Sequence, residues 1–406
     1  MSDTKITCAV IMAAGEGSRM RPLTYTMPKV MLPLAGKPIL EHLMIEMAAA
    51  GIRDFIFIVG YRNEIVRSYF GDGSRWEVRI TFSNQMKQMG TADALRSVQH
   101  LVAGDFLVAN GDVIMYRQDI LDVMTHKENT LSLFRTDNVA GLGVVEVEKD
   151  RVLRIHEKTA RPPSNLINAG VYRFTPEIFR AISRTGKSPR GEYELTDSIQ
   201  ILIDEGYPVK YHIVSEWLDL SYPWDLLTAN EKFLQNIQPR NEGNIEPGVF
   251  LKDPIVIGEN TLVRSGSYIT GPVIIGKNCE IGPHCYIRPG TVIGDGCHIG
   301  ASVEIKNSII MSGSKVPHLS YVGDSIIGHN CNLGAGTKIA NLRLDKQEIS
   351  VNGINTHRRK LGAILGDNVQ TGINVSINTG TLIGNDSMIG PGVFVSGVIA
   401  PHTMML

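Results

Sequence analysis

Beyond about residue 245, an aliphatic residue followed by glycine recurs at Ile257, Ile275, Ile281, Ile293 and Ile299, and every gap between these positions is a multiple of six. A six-residue period fits neither the helical repeat of 3.6 nor the two-residue alternation of an ordinary strand, whereas three-sided coils of parallel strands produce it. The spacing returns at Ile327 and Leu333, and again at Leu365, Ile383 and Ile389. Two intervals break step, 28 residues from Ile299 to Ile327 and 32 from Leu333 to Leu365, and each is expected to hold an inserted loop. Insertions on a rigid coil are where function tends to sit. These two contain KVPHLSYVGD and ANLRLDKQEISVNGINTHRRK.

The first half has another rhythm. CAVIM, FIFIVG and FLVAN read as buried strands, and ILEHLMIEMAAAG, between the first two, has helical spacing and ends at Gly51. Strand, helix, strand implies an α/β fold with a parallel sheet of the Rossmann-like, nucleotide-binding kind, whose ligands sit at the carboxyl ends of the strands. Directly after CAVIM comes AAGEGSRMRPLTYTMPKVMLPLAGKPIL. Gly15 and Gly17 permit a turn that brings backbone N–H groups up to a phosphate. Arg19, Arg21 and Lys29 supply positive charge, and Pro22, Pro28, Pro33 and Pro38 restrict the loop that carries them. The string fits neither GxxxxGK(S/T) nor GxGxxG, since Met20 stands where a third glycine would fall.

Lys plus Arg total 40 against 41 for Asp plus Glu, so no excess charge points to nucleic acid or an anionic membrane, and any anion must be bound by a local site. At 406 residues the chain can form two or three domains. The opening MSDTKITC lacks a signal peptide's apolar core, and no apolar run approaches about 18 residues. A cytoplasmic enzyme is the expectation. Cys8, Cys279, Cys285, Cys297 and Cys331 are odd in number and lack CxxC spacing, which favours free, mostly buried thiols.

The pattern AAGxGSRMxPLTxxxPKxxLPxxGKPIL resembles the opening of the sugar-1-phosphate nucleotidyltransferases, which join a nucleoside triphosphate to a sugar phosphate and release pyrophosphate. The resemblance gives Ala13, Ala14, Gly15 and Gly17 to nucleotide binding and Arg19 and Lys29 to catalysis. It makes Asp112 of VANGDV and Asp219 of EWLDLSYPWD the ligands of Mg²⁺, a hard cation that prefers carboxylate oxygens. NQMKQMGTADAL is similar to the family's base-reading segment and implies base contacts at Gln85, Gly90 and Thr91. The family's sugar-phosphate pocket maps onto Gly143, Glu157, Lys158, Asn168 and Thr196. Glu157 can accept hydroxyl protons, Asn168 can donate and accept, and Lys158 can meet the phosphate.

The second half resembles the left-handed parallel β-helix of the hexapeptide acyltransferases, a fold that typically forms trimers. KVPHLSYVGD is similar to the acetyltransferase loop of the bifunctional family that makes UDP-N-acetylglucosamine from glucosamine-1-phosphate. By that resemblance His318 is the general base, a role that suits neutral imidazole. Arg288 and Lys306 would hold the sugar phosphate, Tyr321, Asn332 and Asn341 would orient the amino sugar, and the N–H of Ala335 would stabilise an oxyanion on acetyl-CoA. The family's further lysine, six residues beyond the position of Asn341, falls on Gln347, with Lys346 adjacent.

The sequence therefore reads as a nucleotidyltransferase domain over 1–235 followed by a β-helix acetyltransferase domain over 236–406. Its expected substrates are UTP, acetyl-CoA and an amino-sugar-1-phosphate, with no nucleic-acid or membrane partner and a homotrimeric state. Two alternatives stand beside this. One is a monofunctional thymidylyl, uridylyl or guanylyl transferase with a structural coil, against which KVPHLSYVGD argues; the other is a non-catalytic regulatory subunit, against which Arg19, Lys29, Asp112 and Asp219 argue.

Overall fold

A computed structural model describes residues 6–85, 87–157 and 161–406. Packing separates two compact units: the chain through Glu16 with Met27–Met31 and Pro38–Asp219, and Gly17–Thr26 with Leu32–Lys37 and Leu220–Leu406. Helix Asp225–Leu234 belongs to the second.

The first unit is built on a nine-stranded sheet in the order Arg79–Asn84, Asp54–Val59, Cys8–Ala13, Phe106–Asn110, Leu166–Phe174, Asn129–Arg135, Val209–Ile213, Arg151–Glu157 and Gly143–Glu148. The first four are parallel neighbours, as the strand–helix–strand pattern requires. The helix expected from ILEHLMIEMAAAG spans Ile39–Ala49, buries Ile39, Leu40, Leu43, Met44 and Met47 completely, and is followed by Gly51 at φ 109°. Leu166–Phe174 runs antiparallel to Phe106–Asn110, so the sheet is mixed beyond its nucleotide-binding half. A bulge between Asn168 and Tyr172 bends that strand. Gly170, at φ 82°, is required there, because a β-carbon would lie 2.7 Å from Asn110 Nδ2.

The second unit is a left-handed parallel β-helix of three sheets. In register, Ile257 pairs with Ile275 and Ile275 with Ile293, so one turn takes 18 residues and places one strand on each sheet. Stacking equivalent residues fills the interior with a ladder that includes Val263, Ile269, Ile281, Ile287, Ile299 and Ile305, all fully buried. Losing one such side chain, as in Ile299→Ala, costs about 2–5 kcal/mol. Two residues before several ladder positions the chain places a small buried side chain: Cys279, Cys285, Cys297 and Cys331 precede Ile281, Ile287, Ile299 and Leu333 in this way. All five cysteines are free, as the spacing suggested.

One expected insertion is absent. Between Ile299 and Ile327 the coil continues through Ile305, Ile310, Val316 and Val322, and two successive turns are simply 17 residues long, Ile293 pairing with Ile310 and Ile310 with Ile327. KVPHLSYVGD is thus no loop. It forms strand Lys315–His318, a corner, and strand Tyr321–Gly323. The second insertion is real: after Ile339 the chain leaves the coil and returns at Ala363–Leu365, carrying a hairpin of Ser350–Val351 against Ile354–Asn355.

Candidate active site

The crossovers leaving Cys8–Ala13 run first toward Asp54–Val59 and later to the opposite neighbour, Phe106–Asn110, which makes the carboxyl edge between these strands the switch point where α/β sheets hold ligands. Asp112 lies just past that edge, on a turn tied back by Gly111 N donating to Met12 O at 2.9 Å. Lys29 Nζ lies 2.5 Å from Asp112 Oδ2. Gly15 has open space beside its α-carbon, so glycine there leaves room for an approaching group, whereas Gly17, at φ 75°, supplies the left-handed turn. Arg19 belongs to the second unit, where its guanidinium stands 5.8 Å over the Tyr222 ring.

The segment after Arg79–Asn84 forms a second wall. Ala13 and Ala14 are buried, and the Ala14 carbonyl accepts from Tyr61 N at 3.1 Å and Gln88 Nε2 at 2.8 Å. Gln85 Nε2 donates to Gly90 O at 3.3 Å. A cavity of about 520 Å³ opens here, lined by Val59, Gly60, Tyr61, Asn63, Asn84, Gln85 and Gln88. Gly90 is fixed by close approach: at φ 109°, a β-carbon would sit 2.3 Å from Tyr193 O. Thr91 Oγ1 accepts from Leu195 N at 2.8 Å, so its oxygen also joins this segment to the helix that carries Thr196.

Three of the expected sugar-pocket residues meet. Strand register sets Gly143 opposite Glu157, and a β-carbon on Gly143 would lie 3.2 Å from Glu157 Oε1 and 3.8 Å from Asn168 Cβ. Asn168 Nδ2 donates to Tyr172 Oη at 2.8 Å, and burial pushes that phenol's pKa up, so it stays protonated. Thr196 Oγ1 is buried and has no hydrogen-bond partner among the described residues, an orphan that a bound hydroxyl or phosphate would satisfy. Lys158 lies outside the described residues.

On the β-helix, Arg288, Lys306, Tyr321 and Asn341 gather on one sheet. Tyr286, Glu304 and Tyr321 are in register on successive strands, and Lys306 is in register with Gly323. Arg288 Nη1 donates to Glu304 Oε1 at 2.8 Å, a bond that raises the guanidinium's pKa further. Lys306 Nζ and Asn341 Nδ2 both reach Asp324 Oδ2, at 2.7 and 2.5 Å. Asn341 Nδ2 is also 3.2 Å from Tyr321 Oη, whose pKa is raised by burial and then by the Asp324 charge. His318 ends its strand exposed, and its carbonyl accepts from Gly336 N at 3.1 Å, which brings the corner bearing Ala335 beside it. Asn332 stands apart, on a different sheet face in register with Lys315 and Gln370.

Asp112 and Asp219 are oxygen-only donors of the kind Mg²⁺ takes, one or two carboxylates completed by water and substrate phosphate. The one group of three metal-capable side chains among the described residues, Asp119, Asp122 and His212, is elsewhere, and Asp119 is already engaged by Ser215 N at 3.1 Å and Ser215 Oγ at 2.7 Å. Sequence reasoning passed over Gln88, Glu304 and Asp324. Gln88 and Asp324 lie inside the quoted strings NQMKQMGTADAL and KVPHLSYVGD, and Glu304 is two residues from Lys306.

Residues 8–236 match the family model described as nucleotidyl transferase, and residues 269–381 match that of the GMPPB C-terminal domain. "Bifunctional protein GlmU" of Methanococcus maripaludis is 42% identical over 388 residues, covering 94% of this chain and 93% of that protein. The "bifunctional sugar-1-phosphate nucleotidylyltransferase/acetyltransferase" of Sulfurisphaera tokodaii is 40% identical over 395 residues, covering 96% and 97%. Among solved structures, one assigned as a glucose-1-phosphate thymidylyltransferase from Bacillus anthracis superposes with a TM-score of 0.52 at 28% identity, over 57% of this chain and 97% of that one.

Proposed function

Since the chain belongs to the nucleotidyl transferase family, in the bifunctional branch whose members also carry an acetyltransferase, we propose that it acetylates glucosamine-1-phosphate and then couples the product to UTP. Acetyl-CoA is the acetyl donor, and the final products are UDP-N-acetylglucosamine and pyrophosphate. The observation that carries this reading is the presence of two separate polar clusters on one chain, Lys29 with Asp112 and Lys306 with Asp324 and Asn341.

For nucleotidyl transfer, an oxygen of the sugar phosphate attacks the α-phosphorus of UTP as the bond to pyrophosphate breaks. Lys29, with Arg19 earlier in the same loop, neutralises polyphosphate charge; Gln85 and Gln88 face the base; Glu157, Asn168 and Thr196 hold the sugar in line. Mg²⁺ bound by Asp112 and Asp219 would supply charge neutralisation on the phosphates.

For acetyl transfer, the amino nitrogen attacks the thioester carbonyl, the C–N bond forms, and the C–S bond breaks to release CoA. His318 takes the proton from the attacking amine, and the Ala335 N–H receives the developing oxyanion. Arg288 and Lys306 meet the sugar phosphate. Asn332, set on another face, would act on a neighbouring copy's acceptor, which accords with a homotrimer. Exposed apolar side chains on the last coils, among them Phe394, Met404 and Leu406, offer the contact. Work on these substrates suits an enzyme of the cytoplasm. No helix among the described residues is long and apolar enough to cross a membrane.

The test is an assay matrix crossing UTP and dTTP with glucose-1-phosphate, N-acetylglucosamine-1-phosphate and the free amino sugar phosphates, with and without acetyl-CoA. Pyrophosphate release from UTP and N-acetylglucosamine-1-phosphate, plus acetyl-CoA consumption with glucosamine-1-phosphate, is expected. Activity in the first reaction alone would leave the coil a structural element.

A further inference from the structure

Asp324 ends the KVPHLSYVGD string and is 2% exposed. A carboxylate that far from water needs partners that replace its hydration. Among the described residues it has Lys306 Nζ at 2.7 Å and Asn341 Nδ2 at 2.5 Å on Oδ2, and Asn307 Nδ2 at 2.9 Å on Oδ1. Its backbone is pinned on both sides. Asp324 N donates to Lys306 O and Gly362 N donates to Asp324 O, each at 2.8 Å, and its φ of 49° is a left-handed corner that Asp and Asn tolerate better than most residues. Asn307 is braced in turn by Glu231 Oε1, which its Nδ2 reaches at 2.7 Å.

Lys306 and Asn341 are both assigned above to the amino-sugar phosphate, and neither is rigid on its own. A lysine ammonium on a four-carbon stem stands at one point only when a fixed group holds it. Asp324 uses one of its N–H groups and leaves two for a phosphate; the Asn341 carbonyl oxygen stays available to a sugar hydroxyl. We infer that Asp324 is the positioning residue of the acetyl-acceptor site, its carboxylate fixing the Lys306 ammonium and the Asn341 amide where the incoming amino-sugar phosphate meets them. The inference rests on the acetyl-transfer reading and adds to it a residue that touches no substrate.

The experiment is steady-state acetyl transfer by the full chain, with glucosamine-1-phosphate and acetyl-CoA varied separately, in the parent, Asp324→Asn, Lys306→Met and the double variant. Asparagine keeps the shape and the left-handed backbone while removing the charge. Expected for Asp324→Asn is a KM for glucosamine-1-phosphate raised roughly tenfold or more, the scale of a hydrogen bond to a charged group. The acetyl-CoA KM and pyrophosphate release should stay within about twofold of the parent, and Asp324→Asn should add little to Lys306→Met, because it acts through that lysine. Unchanged acceptor KM, or parallel loss of both reactions together with a lowered melting temperature, overturns the inference. Asn307→Gly, which removes one brace without stranding a buried charge, should raise the acceptor KM several-fold; if Asp324→Asn does not fold, parental kinetics in Asn307→Gly overturn it instead. A parent that acetylates no amino-sugar phosphate defeats the acetyl-transfer reading itself, a result distinct from an active parent matched by its variants.

Discussion

Lys29 Nζ lies 2.5 Å from Asp112 Oδ2, although 83 residues separate them along the chain. The pair joins the lysine of the opening loop to the strand-end aspartate at the switch point of the sheet. Lys29→Ala and Asp112→Asn should each lower pyrophosphate release by roughly two orders of magnitude or more, the scale of lost transition-state charge stabilisation. On the division of labour proposed above, acetyl transfer should persist in both. Full uridylyl activity of Asp112→Asn in saturating Mg²⁺ would remove the aspartate from the metal site.

His318 is exposed, and its carbonyl rather than its ring makes the bond from Gly336. His318→Ala should therefore leave the coil intact while reducing acetyl transfer roughly a hundredfold or more, as loss of a general base does. Parallel assays of pyrophosphate release and acetyl-CoA consumption separate the outcomes. Equal loss of both would mean that the histidine supports the fold instead.

The buried cysteines predict an alkaline limit. Burial is the main cause that pushes the Cys297 and Cys331 thiols up to about 12, while an unfolded chain releases such protons near pH 8.5. The folded state keeps these thiols neutral. Their contribution to stability is thus complete below about pH 8.5 and is lost as pH climbs toward about 12. Valine occupies the same small-residue layer at Val303 and Val375, so Cys297→Val should fit and should flatten the fall of melting temperature above pH 9. Identical pH slopes in parent and variant would show that this thiol does not contribute.

Much of this was legible because each half announces its period. The ladder Ile257, Ile275, Ile293 stands out since glycine follows each residue, whereas Ile305, Ile310 and Val316 fill the same layer without that glycine and two turns drop a residue, which made a regular coil look like an insertion. Lys29 and Asp112 were readable as separate signals; their contact was not, because it depends on sheet order. Asp324 was visible only as a letter in a string, since its meaning lies in Asn307 and Asn341, each 17 residues away along the coil. Asn332 stands on the sheet of the Lys315–His318 strand and apart from the sheet of Lys306 and Tyr321, a placement set by its register with Lys315.

Ile373, Met388, Phe394, Val398, Met404 and Leu406 are 47–96% exposed on the last coils. Sedimentation equilibrium at micromolar concentration should find a trimer. Phe394→Asp should shift it toward monomer and, with Asn332 no longer delivered by a neighbour, weaken acetyl transfer more than pyrophosphate release. A monomeric parent with full acetyl transfer would rule out this assembly.

Gln347 stands where the resemblance calls for lysine, exposed on the excursion that leaves the coil after Ile339, with its N–H donating to Asp345 Oδ1 at 3.1 Å. Its amide can donate to a hydroxyl or phosphate but brings no charge, so on the acetyl-transfer reading proposed above the substrate should be held less firmly at this position. Looser hold should widen tolerance for the epimer at the sugar's 4-position, and galactosamine-1-phosphate should be acetylated alongside glucosamine-1-phosphate. Gln347→Lys should lower the acceptor KM by roughly threefold to tenfold, the scale of one added charge-assisted hydrogen bond near the surface, while kcat changes little because His318 still takes the proton. Acetylation kinetics of both epimers in the parent and in Gln347→Lys decide the matter: strict glucosamine-1-phosphate specificity in the parent would show that the missing charge does not set the substrate range.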